Sequence, residues 1–221
     1  MPSDSSIKSA LGDASSLAIA SLVTKLLGPG RSIRYPAGNT LFLQGDTPHE
    51  VQLILSGAIK LVRSETSEFD VTIGIRSPGW LLGVAPLILE APHPARAVTM
   101  VQTETRPLSA ESFKKLLRSD TDVLQATLRI LAEELLGQVV RASRQSLDIR
   151  HRVQMLLSDL AETHGRAHER GWMRIHLPLS QQEIADLVVA SRESVNRAMK
   201  DLRRSGYITE AGGWISVKSS A

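Results

Sequence analysis

No cysteine occurs among the 221 residues of the chain. That excludes disulfides, a cysteine-ligated iron–sulfur cluster and a thiol redox switch. No apolar run approaches the roughly 18 residues that a membrane-spanning helix needs. The start is Ser-rich, carries Asp4 and Asp13, and lacks the charged, apolar and cleavage segments of a secretory signal. A soluble cytoplasmic protein with no membrane partner is expected. Internal repeats and long low-complexity segments are missing too. So is a catalytic constellation: there is no Ser/His/Asp set, glycine-rich phosphate loop or paired acid cluster in usable order, and no enzyme is expected.

What is present is an ordinary balance of 42% hydrophobic and 22% charged residues, enough chain for two modest domains. The net charge of +3 says little when averaged. Its distribution says more, because residues 191–204 hold five Arg or Lys against Glu193 and Asp201. At about 100° per residue, Val195, Ala198, Met199 and Leu202 fall in one arc of a helix. Arg192, Glu193, Asn196, Arg197 and Lys200 fall in the opposite arc. Those residue types read base edges: Arg forks to guanine, Asn to adenine, and Glu accepts from cytosine.

Just upstream, Ser180-Gln181-Gln182-Glu183 has the form of a capping box. Ile184, Leu187 and Val188 then predict a helix over 181–188. Val189 and Ala190 alone separate it from Ser191, itself a good N-cap. Two short helices across a tight turn make a helix-turn-helix. Downstream, Tyr207-Ile208-Thr209 and Trp214-Ile215-Ser216-Val217 flank Ala211-Gly212-Gly213, which reads as a hairpin or wing. The plain alternative is a packed helix pair whose charges only meet water. The cap, turn, base-reading set and hairpin together favour DNA.

From Ser32 to Leu108 the texture is short β-prone runs separated by Gly and Pro, such as Thr40–Gln44, Val51–Leu55, Ala58–Val62 and Val71–Ile75. Such spacing indicates an antiparallel barrel or sandwich. Residues 1–16 are small and polar, and Leu17–Leu27 suggests a short helix. Helical pattern resumes at Ser109, where Leu124, Leu128, Leu131 and Leu135 alternate spacings of four and three, continued by Gln138 and Ala142. This is a coiled-coil stripe, read as a homodimer seam, although such stripes more commonly face their own domain's core. Leu147-Asp148 reads as a hinge, Gly165–Gly171 as a polar break, and Trp172–His176 as a strand.

Over about residues 20–218 the chain resembles the Crp/Fnr family of bacterial transcription regulators. The resemblance rests on Gln44-Gly45-Asp46, on Leu55-Ser56-Gly57-Ala58-Ile59-Lys60-Leu61 and on Pro78-Gly79-Trp80-Leu81-Leu82-Gly83. Ser180-Gln181-Gln182-Glu183-Ile184-Ala185 and Ser191-Arg192-Glu193-Ser194-Val195-Asn196-Arg197 are its most specific parts. It implies an α+β fold: an N-terminal antiparallel β-roll like a cyclic-nucleotide-binding domain (17–118), a long dimerisation helix (119–147) and a C-terminal winged helix-turn-helix (148–221). It also implies a homodimer that binds a palindromic site in double-stranded DNA. By position, Arg192, Glu193 and Arg197 make base contacts, with G·C pairs under Arg192 and Glu193. Ser180 and Gln181 hold a phosphate, and Asn196 and Lys200 complete the DNA-facing set. Asn196 stands where a well-known member has glycine, so the preferred sequence is expected to differ there. RNA polymerase is a further candidate partner, though no residues here pattern its contact surface.

The sensor departs from the cyclic-AMP pattern. Cyclic-nucleotide-binding members have a phosphate cassette that begins Gly-Glu-Leu and ends Arg-Ser-Ala. Here Gly83-Val84-Ala85 lacks that carboxylate, and Ala95-Arg96-Ala97 is reached through Ala91-Pro92-His93-Pro94. Cyclic AMP is therefore not expected. The candidate effector set is Gly83, Arg96, Gln138 and Arg141, since members that sense 2-oxoglutarate use arginines from the cassette and the long helix. A lone Arg is more often a surface ion pair. Haem would need an axial ligand, for which the sensor offers His93 and His49, read as surface imidazoles. The cofactor stays open among a small anionic effector, haem, and none, the last giving a constitutive regulator. Two other classes compete. A cupin-like metal enzyme needs clustered histidines, but His49 and His93 stand alone, and His164 and His168 read as exposed loop residues rather than a metal pair. A dimerising module without DNA affinity is the third.

Overall fold

The structure, a computed structural model, describes residues 31–66, 69–169 and 171–219. The segment 1–16 and the short helix expected within 17–27 lie outside the described residues. Eight strands build the first lobe: β1 (Ile33–Tyr35), β2 (Thr40–Phe42), β3 (Glu50–Ser56), β4 (Ile59–Thr66), β5 (Phe69–Arg76), β6 (Leu81–Leu82), β7 (Arg96–Thr99) and β8 (Thr103–Ser109). They form two antiparallel sheets, in the orders β1-β8-β3-β6 and β2-β7-β4-β5. Period-2 alternation explains which side chains meet between them. Ile54, Ile59, Leu82 and Ala97 turn inward and are buried together. The β3–β4 turn requires glycine: Gly57 has φ +90°, and a Cβ there would lie 2.4 Å from Thr103 Oγ1.

Helices cover the outside of the first sheet. A short helix α1 (Val84–Ile88) precedes β7, and α2 (Ala110–Ser119) and α3 (Thr121–Arg144) follow β8. Ser109 caps α2 by accepting from the Ser112 amide, and Asp120 caps α3 by accepting from the Asp122 and Val123 amides. Phe113, Val123, Ala126 and Ile130 pack on Val51, Leu53, Leu81 and Leu87. Each large side chain buried this way contributes about 1.5–3 kcal/mol. Only the first half of α3 is anchored by this cluster.

After a break at 145–148, Asp148 accepts from the His151 amide and starts α4 (Ile149–His164). The second lobe adds β9 (Gly165–Ala167), β10 (Trp172–Ile175), α5 (Gln181–Val188), α6 (Arg192–Arg204), β11 (Ile208–Ala211) and β12 (Trp214–Lys218). Its strands form one antiparallel sheet, β11-β12-β10-β9. Val153, Leu157, Leu160, Ile175, Ile184, Val195, Met199, Leu202 and Ile208 fill its core. Ala58 and Met100 of the first lobe join that cluster, so the two lobes share buried apolar contact.

The structure differs from the sequence expectation at two histidines and one break. His93, read as a surface imidazole, is only 5% exposed and stacks on Phe42 at 3.8 Å between ring centroids. The polar break contains β9, which pairs with β10. His164, read as a loop residue, ends α4 half-buried and shares a 2.8 Å hydrogen bond with the Ser77 hydroxyl of the first lobe. Local pattern could not show this, because Ser77 is 87 positions away.

Burial pushes the His164 imidazole below its ordinary 6.5, and burial does the same at His93, where Asp46 opposes it. Between those depressed values and 6.5 the unfolded chain holds protons that the folded chain does not. Stability is therefore complete above the ordinary value and lost as pH falls through the folded ones. Thermal denaturation should show a falling midpoint from about pH 7.5 to about pH 5.5. His164→Gln, which keeps a hydrogen-bonding side chain but cannot titrate, should flatten part of that slope.

Candidate nucleic-acid interface

The interface is assembled from the end of β10 onward. Ser180 accepts from the Glu183 amide at 3.1 Å, and the Glu183 carboxylate accepts from the Ser180 amide at 2.7 Å. Both halves of the capping box are thus made, satisfying donors that a helix start leaves open. Ile184, Ala185 and Val188 turn α5 into the core. Val189 then ends α5 at φ 53°, ψ 62°. A β-branched residue in the left-handed region is strained by about 1–3 kcal/mol, so surrounding contacts must hold it. Arg152 supplies them by donating from Nη1 to the Val188 and Val189 carbonyls at 2.7 and 3.1 Å. Nothing in the local sequence pattern around Arg152 pointed to that role.

Ser191 caps α6 by accepting from the Ser194 amide. Val195, Ala198, Met199 and Leu202 are all buried, while Arg192, Glu193, Arg197 and Lys200 are exposed and Asn196 is half-buried. The expected DNA-facing residues of α6 therefore share one solvent-facing side. Ser180 lies exposed and Gln181 half-buried at the entrance of α5. Arg197 donates from Nη2 to Ser194 Oγ at 2.9 Å, and Ser191 donates to the same oxygen at 3.0 Å. Ser194, itself bonded by Ser191, thereby holds Arg197, a contact the base-reading pattern did not include. Behind α6, Gly212 and Gly213 take φ 59° and 80°, so both central residues of the β11–β12 turn have the positive φ that a tight hairpin needs. The Trp214 ring, next to this turn, lies tilted against His176.

The candidate effector residues are more scattered. Gly83 heads α1 at φ +82°. Arg96 sits on β7 between the buried Ala95 and Ala97, half-buried itself and paired with Asp70. Gln138 is exposed on the apolar stripe of α3. Arg141 lies among the charges of Arg76, Glu134, Arg144 and Asp159. Arg96 and Arg141 thus belong to separate ionic clusters, and the structure does not bring them together. A cavity of about 300 Å³ is lined by Leu41, Phe42, Asp46, Thr47, His49, Glu50 and His93. Gly83 borders it, since a Cβ there would come within 3.3 Å of His93 Cε1. Among the described residues no group of three or more His, Asp or Glu could hold a metal ion, and no helix is long and apolar enough to cross a membrane.

Comparison with known proteins matches this architecture lobe by lobe. Residues 32–120 match the model of the cyclic nucleotide-binding domain, and residues 151–220 match that of the Crp-like helix-turn-helix domain. The chain is 29% identical to the CRP-like cAMP-activated global transcriptional regulator of Mycobacterium tuberculosis, over 92% of this chain and 89% of that protein. It is also 29% identical to the CRP-like protein Clp of Xanthomonas euvesicatoria, over 87% of this chain and 86% of the relative. Among solved structures it is similar to the c-di-GMP responsive global regulator CLP of Xanthomonas campestris. That similarity has a TM-score of 0.72 at 26% identity and covers 91% of this chain and 100% of that one. FixK2 of Bradyrhizobium japonicum shares the fold alone, with a TM-score of 0.72 at 20% identity over 86% of this chain and 93% of that one. A cyclic-nucleotide-binding lobe followed by a Crp-like helix-turn-helix, in this order and over most of the chain, places the protein in the Crp/Fnr family of transcription regulators.

Proposed function

We propose that two copies of the chain bind a palindromic DNA site, each laying α6 in a major groove. The observation that carries this reading is the division of α6 into a buried apolar side and an exposed side bearing Arg192, Glu193, Asn196, Arg197 and Lys200. Arg192, Glu193 and Arg197 read base edges, and Ser180 and Gln181 hold a phosphate at the entrance of α5. Asn196 adds an amide that favours adenine where it reaches a base. Residues 17–118 form the sensor, 119–147 the dimerisation helix and 148–221 the DNA-binding lobe.

The dimer seam is supported by the outer face of α3. Leu128 is 57% exposed, Leu135 65% and Val139 58%, a row of apolar side chains that a lone chain leaves in water. Pairing with a second copy buries it. One relative is named for cAMP and one solved structure for c-di-GMP, but Gly83-Val84-Ala85 has no carboxylate for a ribose hydroxyl, so cyclic AMP is not the effector expected for this sensor. Arg76 links the sensor to the long helix: its buried guanidinium pairs with Glu134 of α3 and lies 4.9 Å from the Trp80 ring centroid, so a change in the sensor that moves β5 would be felt along α3.

Selection of bound duplexes from a random pool, with and without a metabolite panel, tests site symmetry and effector dependence together. On the selected site, Arg192→Ala and Arg197→Ala should each weaken binding by about 1–3 kcal/mol and relax preference at one base pair per half-site. An affinity loss equal on all sequences would contradict base reading. Leu128→Glu with Leu135→Glu should convert the dimer to monomer in sedimentation analysis and cost most of the affinity for the palindrome.

A further inference from the structure

Two polar contacts between the lobes fall on α5, the helix whose entrance holds DNA phosphate in the reading above. Glu183 uses its two carboxylate oxygens differently. One accepts from the Ser180 amide and closes the cap. The other lies 2.7 Å from Nζ of Lys60, a residue of β4 in the sensor lobe. This pair is well shielded, with side chains 28% and 13% exposed. One turn further along α5, Asp186 accepts from the Thr72 amide of β5 at 2.9 Å and from Gln182 at 2.8 Å. β5 is an edge strand, so its outward amides have no strand to pair with, and Asp186 takes one of them. Glu183 and Asp186, three positions apart, both reach toward the β4–β5 hairpin.

A helix entrance attracts anions because its unpaired amides point outward. Here a carboxylate already occupies that entrance. Without a counter-charge it would repel the very phosphate that Ser180 and Gln181 are to receive. Lys60 supplies the counter-charge from 123 positions away in the chain. We propose that Lys60 is a positioning residue for DNA binding: its ammonium neutralises the Glu183 carboxylate and holds the cap, so the sensor lobe sets how well the α5 entrance accepts a phosphate. The reading face of α6 stays exposed while this contact is made, so docking of α5 on the sensor leaves Arg192 and Arg197 open to solvent. Burial alone would raise the Glu183 pKa, but the bonds from Lys60 and Ser180 outweigh it and hold the value below the usual range. The carboxylate is thus charged at neutral pH, and the need for Lys60 is permanent there. Any movement of the β4–β5 hairpin that withdraws Lys60 places a bare carboxylate beside the phosphate.

This inference rests on the DNA-binding reading, and the test separates the two. The full chain and a selected duplex are used in fluorescence anisotropy, with thermal midpoints recorded for each variant. Lys60→Met should bind about tenfold more weakly, because the carboxylate is left uncompensated. Glu183→Gln keeps an acceptor for the Ser180 amide and removes the charge, so it should bind about threefold more tightly, with Lys60 now attracting phosphate. The double variant should return close to the starting affinity, and Lys60→Arg should stay near it. A pair that is merely structural would make both single variants weaker, and that result would overturn the proposal. So would a Lys60→Met that binds more tightly, since the docked contact would then restrain DNA binding. A wild-type chain that selects no duplex would instead overturn the DNA-binding reading itself.

Discussion

Burial of one side of α6 governs the rest of the account. Val195, Ala198, Met199 and Leu202 are at most 4% exposed, and together they lock the helix against α4 and α5 at one rotation about its own axis. With that rotation fixed, the opposite arc has no choice but to face solvent. Its five polar side chains then stand on rigid helix rather than on a loop. The strained turn at Val189, held by Arg152, and the cap at Ser191 determine where the helix begins and so which residues reach a groove first. Large-to-small changes in such a core cost about 2–5 kcal/mol, so the reading face is only as well aimed as its buried side is packed.

The second constraint is that this rigid lobe is not free of the first. Ala58 and Met100 enter its core, Ser77 meets His164, and Lys60 and Thr72 reach α5. Arg76 ties β5 to α3 through Glu134, and Arg144 ties the end of α3 to Asp159 of α4. One hairpin, β4–β5, therefore touches the long helix and the DNA-binding lobe alike. On the reading proposed above, a ligand that shifted this hairpin relative to α3 would act on both the seat of the lobe and the charge at the α5 entrance. It can do so only to the extent that it binds the two arrangements unequally.

Local physics made much of this legible in the sequence. The capping box at Ser180, the cap at Ser191 and the apolar stripe of α6 depend on neighbours within one or two turns, and the helices stand over 181–188 and 192–204 as those signals indicate. The β-prone runs between Gly and Pro fall on β2 to β5, with ends shifted by up to a few residues. What was hidden was set by partners far along the chain. His93 looked like a surface residue because nothing nearby shows that Phe42 covers its ring. His164 looked like part of a loop because its partner is Ser77. Arg96 suggested a ligand anchor, but its β7 position between two buried alanines puts its side chain on the other face, where Asp70 meets it. Lys60 carried no signal of a link to α5, since a lysine in an amphipathic strand is ordinary until the fold brings Glu183 to it.

Hydroxyl-radical footprinting of the full chain on a selected duplex tests the central claim most directly. Two copies with matched recognition helices should protect two patches of equal strength, related by a dyad and centred about 10–10.5 base pairs apart. A single protected patch, or protection that spreads evenly without regard to sequence, would contradict it.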